Sequence, residues 1–156
     1  MRKALALFAL ASCSAFAGLS PLPPDQAAYL EQKFEGYWSA PHRDGSISAT
    51  IDYTDNYLTF LLDDGEAVNS KIIDVDMPRN IVTIEFLTTK ESQGVITLAL
   101  RPGGKLLLDV MGSSMLMNYT RRLTQFDRDR IECLTAPQQQ LDLPEVAKRC
   151  EAIGLN

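Results

Sequence analysis

Met111, Met115 and Met117 gather around Gly112-Ser113-Ser114, and thioether sulfurs in an oxidising compartment suit Cu(I). Methionine at alternate strand positions is first of all a filler of irregular core gaps, so the spacing assigns no copper site. His42, between Pro41 and Arg43, is the only histidine, which rules out a multi-histidine metal centre. Ser39, Ser46 and Asp44 lie near it and supply the residue types of a hydrolase triad. Neither serine stands in a strand-turn-helix elbow, and loop polarity accounts for all of them. Asp63-Asp64, Asp74 and Asp76 offer oxygen ligands without the loop spacing of an EF-hand calcium site. Gly103-Gly104 joins two strand-like runs instead of opening a helix, which is not how a phosphate loop is built. The chain is therefore read as non-enzymatic, with no catalytic residue, metal or cofactor assigned.

The cysteines carry compartment information instead. Met1-Arg2-Lys3 followed by the apolar run Ala4 to Ala11 has the basic start and short hydrophobic middle of an export signal, and the run is too short to span a bilayer. Ala15-Phe16-Ala17 before Gly18 fits ordinary signal peptidase, whereas Leu10-Ala11-Ser12-Cys13 fits a bacterial lipobox. Cleavage before Cys13 would leave a signal of 12 residues, below the usual lower limit of about 15. Cleavage after Ala17 and a periplasmic or secreted protein are expected, with an outer-membrane lipoprotein anchored through Cys13 as the alternative. Either route leaves Cys133 and Cys150 as an even pair, which an oxidising compartment turns into a disulfide. Closing that loop stabilises by about 3 kcal/mol in the chain-entropy model.

Removing Arg2 and Lys3 lowers Lys+Arg from 15 to 13 against 20 Asp+Glu, so the net charge moves from −5 to −7. Without a basic track the counterion release that drives nucleic-acid binding is missing. The charge also opposes an anionic membrane surface and favours a basic protein partner.

Four segments divide the chain: an export signal over 1–17, a Pro-rich linker over 18–24, a β domain with an N-terminal helix over 25–124, and a helical tail over 125–156. Asp25 is expected to cap a helix over Gln26 to Phe34. From Gly36 to Leu123 the period falls to two, and eight runs are counted: Tyr37 to Ala40, Ile47 to Tyr53, Leu58 to Leu62, Val68 to Met77, Val82 to Phe86, Ile96 to Leu100, Leu106 to Val110, and Met115 to Leu123. In the fourth run Ile73 and Val75 are the apolar positions. Pro78-Arg79-Asn80 and Arg101-Pro102-Gly103-Gly104 read as turns. Closing eight sequential antiparallel strands into a small up-and-down barrel removes the exposed edges. Asp127 to Leu134 and Leu143 to Ile153 read as two short helices, stapled by Cys133 and Cys150.

Gly36-Tyr37-Trp38, after a short helix and at the head of the first strand, resembles the signature of lipocalin-like (calycin-type) barrels. The resemblance implies that the indole of Trp38 packs across the barrel base with an arginine from the end of the last strand over it, here Arg121 or Arg122. Alternation with Met115, Met117 and Tyr119 makes Arg121 the inward member. A cation on a partly desolvated indole contributes about 1 kcal/mol.

An eight-stranded barrel is just wide enough to be filled by side chains or to hold one small ligand. Phe60, Phe86, Leu98, Leu108 and Met117 are the candidate pocket lining. The expected function is that of an exported protein-binding or inhibitor-type module, with Asp63, Asp64 and Glu66 steering a basic partner. Carriage of a small apolar ligand in the barrel is the alternative. An open mouth and an apolar interior would favour the carrier, a filled barrel with an exposed apolar patch the partner-binding module.

Overall fold

A computed structural model describes residues 21–42, 45–54, 57–62, 67–87, 93–135 and 144–155. The expected export signal with Cys13 and Ala17 lies outside the described residues, as do Asp44, Asp63, Asp64, Glu66 and the side chains of His42 and Ser46. One helix, α1 (Pro24–Lys33), precedes eight strands: β1 (Gly36–His42), β2 (Gly45–Thr54), β3 (Tyr57–Leu62), β4 (Ala67–Asp76), β5 (Ile81–Leu87), β6 (Gln93–Arg101), β7 (Lys105–Val110) and β8 (Ser113–Arg121). Two helices follow, α2 (Gln125–Thr135) and α3 (Pro144–Ala152). Each strand pairs antiparallel with the next, and β1 pairs with β8, so the meander closes into a barrel without a free edge.

Alternation assigns the walls. Trp38, Ala49, Ile51, Leu58, Phe60, Val82, Ile84, Leu98, Leu106 and Met117 are all buried in one core cluster. Cross-strand partners share a face, so the chain of pairs Val82↔Leu98, Leu98↔Leu108 and Leu108↔Met115 fixes a continuous inner wall. The turns follow their sequence signals. Asn80, Gly103 and Gly104 take positive φ of 57°, 80° and 67°, and the backbone N–H of Arg79 donates to Asp76 Oδ1 at 3.1 Å. At Met111-Gly112 both residues are left-handed, φ 52° and 87°, the geometry that lets a two-residue hairpin match strand twist.

Two irregularities in the strands change what alternation alone implies. In β4 the register slips between Ile72↔Ile84 and Asp74↔Thr83, leaving Ile73 unpaired. Ile72 turns inward, and Ile73 is 52% exposed instead of inward-facing. In β8 the pairs Trp38↔Tyr119 and Tyr37↔Arg121 leave Thr120 as an extra residue. That bulge reverses the parity, so Arg121 shares the outer face with Tyr37 and does not point inward. Strand β8 also ends at Arg121 rather than Leu123.

The helices differ from expectation at their starts. Pro23 occupies the N-cap of α1 and no side chain caps it; Asp25 lies in the first turn. Pro24 suits that place because its fixed φ fits the first turn and its missing N–H is not needed there. Pro24 thus opens the helix. Helix α2 begins two residues before Asp127, at a capping box. The Asp127 N–H donates to Thr124 Oγ1 at 3.2 Å, and the Thr124 N–H donates to Asp127 Oδ2 at 2.8 Å.

The tail packs on the outside of the barrel. Helix α2 lies against β2, β3 and β4, with Ile131 and Leu134 on Leu61. Cys133 and Cys150 are bonded, Cα atoms 5.5 Å apart, tying α3 to α2 as expected. Arg149 Nη2 donates to both carboxylate oxygens of Glu132 at 2.7 Å.

Candidate functional site

Among the described residues the candidate site is the barrel interior, and its two ends are built differently. At the base, where β1 begins and β8 finishes, α1 inserts Leu30 and Phe34, both fully buried, into the core cluster. Trp38 is 2% exposed there. Its indole N–H donates to the Phe34 carbonyl at 2.9 Å, and Tyr119 meets its face edge-on at 5.2 Å. Gly36 makes this contact possible. Its φ is +152°, and a Cβ would lie 2.6 Å from Tyr119 Cε2 and 3.2 Å from the Arg121 carbonyl oxygen. Tyr29 ties the helix to the barrel by donating its hydroxyl to Asn80 Oδ1 at 2.8 Å.

The indole therefore sits at the base as the sequence implies, but its aromatic neighbour is Tyr119 and not a guanidinium. Carried outside by the bulge at Thr120, Arg121 lies over the Tyr37 ring at 4.8 Å and chelates Asp127 with bonds of 2.5 and 3.1 Å. Those bonds, with the Thr124 N–H and hydroxyl, hold the Asp127 carboxyl well below the usual carboxylate range. Arg122 contributes its carbonyl to Arg121 Nη1.

A second outer cluster fastens the tail beside the base. Arg128 of α2 bonds Glu35, at the α1–β1 junction, and Asp52 Oδ1 of β2 at 2.7 Å. Burial pushes the Asp52 carboxyl above its ordinary range; the Thr54 hydroxyl and Arg128 pull the other way, while Glu35 and Glu31 add to the rise. The cluster attaches the tail to the barrel.

At the far end, where β7 turns into β8, Phe86, Leu108, Val110 and Met115 point inward and are half-buried, as Tyr53, Val75 and Leu100 are nearer the base. Among the described residues no helix covers this end as α1 covers the base. The inner wall also carries small residues: Ala40, Ala49, Ser70 and Gly94. Phe86 spreads over Gly94, where a Cβ would approach its ring to 2.2 Å.

The five predicted lining residues all lie on the inner wall. Met117 is buried toward the base, Leu98 and Phe60 are buried, Leu108 stands half-buried beside Leu98, and Phe86 lies half-buried at the far end. Of the three methionines, Met115 and Met117 face inward, whereas Met111 is 74% exposed in its turn. Asp74 is exposed on the outer face, Asp76 serves the following turn, and Ser39 shares a hydrogen bond with Thr120 at 3.0 Å outside the barrel.

Sequence reasoning missed Ser70. Its partners Leu58 and Phe86 are inner-wall residues, and parity with Val68 was the available signal. Ser70 is fully buried and its hydroxyl has no hydrogen-bond partner. The other buried polar side chains of the strands, among them Thr50, Asp52, Thr59 and Asn69, belong to the outer wall under α2, where Thr59 donates to Asn69 Oδ1 at 2.7 Å.

The closed antiparallel eight-strand meander is compatible with a lipocalin-like fold. A scan against protein-family models found no matching family, and searches of curated proteins and of solved structures found no match.

Proposed function

We propose that this protein is a non-enzymatic carrier of a small apolar ligand, held in the far half of a lipocalin-like barrel. The observation behind this reading is the contrast between the barrel ends. Leu30 and Phe34 of α1 enter the core at the base, whereas among the described residues no helix covers the other end, where Phe86, Leu108, Val110 and Met115 face inward and are half-buried. An apolar interior left uncovered at one end suits a small-molecule site. Export through the N-terminal signal, followed by release after Ala17 or anchoring at Cys13, would place the carrier in the bacterial envelope.

A partner-binding module is the second reading, supported by a different surface. Ile81↔Ala99, Ala99↔Leu107 and Leu107↔Leu116 form an apolar ladder across the outer faces of β5 to β8, with Leu116 exposed. The acidic chain would favour a basic partner there. Native and denaturing intact mass of the protein, purified gently from its own source, separates the two. A small-molecule adduct released on denaturation supports carriage; a bare barrel that co-purifies with a second protein chain contradicts it and supports partner binding. The denatured mass also reads the cleavage site and any lipid on Cys13.

A further inference from the structure

Burying a hydroxyl without a partner is costly, and native proteins rarely leave one so. Ser70 is such a group: 0% exposed, unpartnered, and set in the inner wall between Leu58 and Phe86. Packing does not explain it, because alanine would fill nearly the same space without the penalty. The rest of the described inner wall also limits what can meet the hydroxyl. It carries no Lys, Arg, Asp or Glu, so a charged ligand group brought to Ser70 would be buried without a counter-ion.

Resting on the carrier reading above, we infer that Ser70 is a ligand-binding residue and that the ligand is uncharged, largely hydrocarbon, and bears one oxygen that hydrogen-bonds the Ser70 hydroxyl. Alcohols, ketones and esters of apolar chains or rings meet that description. Free carboxylates and organic phosphates do not. The apolar body would lie along Phe86 and Leu108 toward the far end; Ser70 is closed off in the ligand-free barrel, so its neighbour Phe86 must shift for the oxygen to reach the hydroxyl.

The test uses the exported form of the protein, the Ser70→Ala variant, and the fluorescent probe N-phenyl-1-naphthylamine. The probe is displaced in turn by 1-octanol, octane and octanoate at pH 7. In the wild type, 1-octanol is expected to compete at least ten-fold better than octanoate. In Ser70→Ala, 1-octanol is expected to weaken about three-fold to ten-fold, the worth of one net hydrogen bond, while octane is unchanged. The ligand-free variant is expected to melt at the wild-type temperature or above, since it loses an unsatisfied group. An unchanged ratio of 1-octanol to octane in Ser70→Ala, or octanoate competing as well as 1-octanol, overturns this inference and leaves carriage standing. No fluorescence rise with the probe and no effect of any competitor overturns carriage and the inference together.

Discussion

The two ends of the barrel use the same alternating strands for different purposes. At the base, Leu30, Phe34, Trp38 and Tyr119 interlock, with the indole N–H satisfied and Gly36 making room. At the far end Phe86, Leu108 and Met115 face inward, and no described helix adds side chains to the core there. The difference teaches that strand alternation decides which side chains enter a barrel, whereas the flanking helix decides which end becomes core.

Substitutions should reveal that contrast most strongly at the base. Trp38→Ala and Phe34→Ala are each expected to destabilise by about 3 kcal/mol or more, as for large aromatic truncations in sealed cores. Leu108→Ala and Met115→Ala should cost about half as much, because water already reaches those sites. Urea melts of the four variants check this, and equal losses at both ends would erase the distinction.

The tail offers the next largest effect. Reducing the Cys133–Cys150 bond is expected to lower stability by about 2–3 kcal/mol through the loop it closes, with barrel circular dichroism retained. Arg128→Ala should cost about 1–2 kcal/mol, since it leaves the buried Asp52 carboxylate without its cation. Arg128→Lys should restore only part, because one ammonium cannot bridge Glu35 and Asp52 as the guanidinium does.

A smaller effect separates Asp127 from Asp52 by pH. The folded-state pKa of Asp127 is depressed. Its contribution is therefore present above the ordinary Asp range and is lost as pH falls through the folded value. Asp52 has the opposite sign, because its raised pKa makes protonation favour the folded state as pH drops into the carboxylate range. Asp127→Asn is expected to cost at most about 1 kcal/mol at pH 7, Arg121 being well exposed, and its deficit should shrink in acid. Asp52→Asn should be nearly neutral in acid. Stability curves from pH 7 to pH 3 check both signs.

Much of this architecture is legible in the residues. Period-two runs such as Val82-Thr83-Ile84-Glu85-Phe86 fix strands and inner faces, Gly103-Gly104 fixes a turn, and the cysteine pair staples the tail. What parity misses are the bulges. Ile73 and Thr120 break alternation because each strand must match two neighbours of different register, which no single run encodes, and Arg121 changes faces as a result. Thr124-Gln125-Phe126-Asp127 was readable as a capping box, and Pro24 as a first-turn proline. For the candidate site, parity places Phe60, Phe86, Leu98, Leu108 and Met117 inward. Which of them stay half-buried depends on where α1 docks, a tertiary fact. Ser70 is hidden for another reason, since a lone serine in a strand more often faces water.

Three of the methionines, Met111, Met115 and Met117, provide native reporters for the central claim. Met117 is buried in the inner wall toward the base, Met115 is half-buried at the far end, and Met111 is exposed outside. Methyl NMR of methyl-labelled protein titrated with 1-octanol would follow all three at once. The carrier reading predicts a saturable shift of the Met115 methyl, a weaker one at Met117 and none at Met111. No shift at Met115, or equal shifts at all three, would contradict a ligand site in the far half of the barrel.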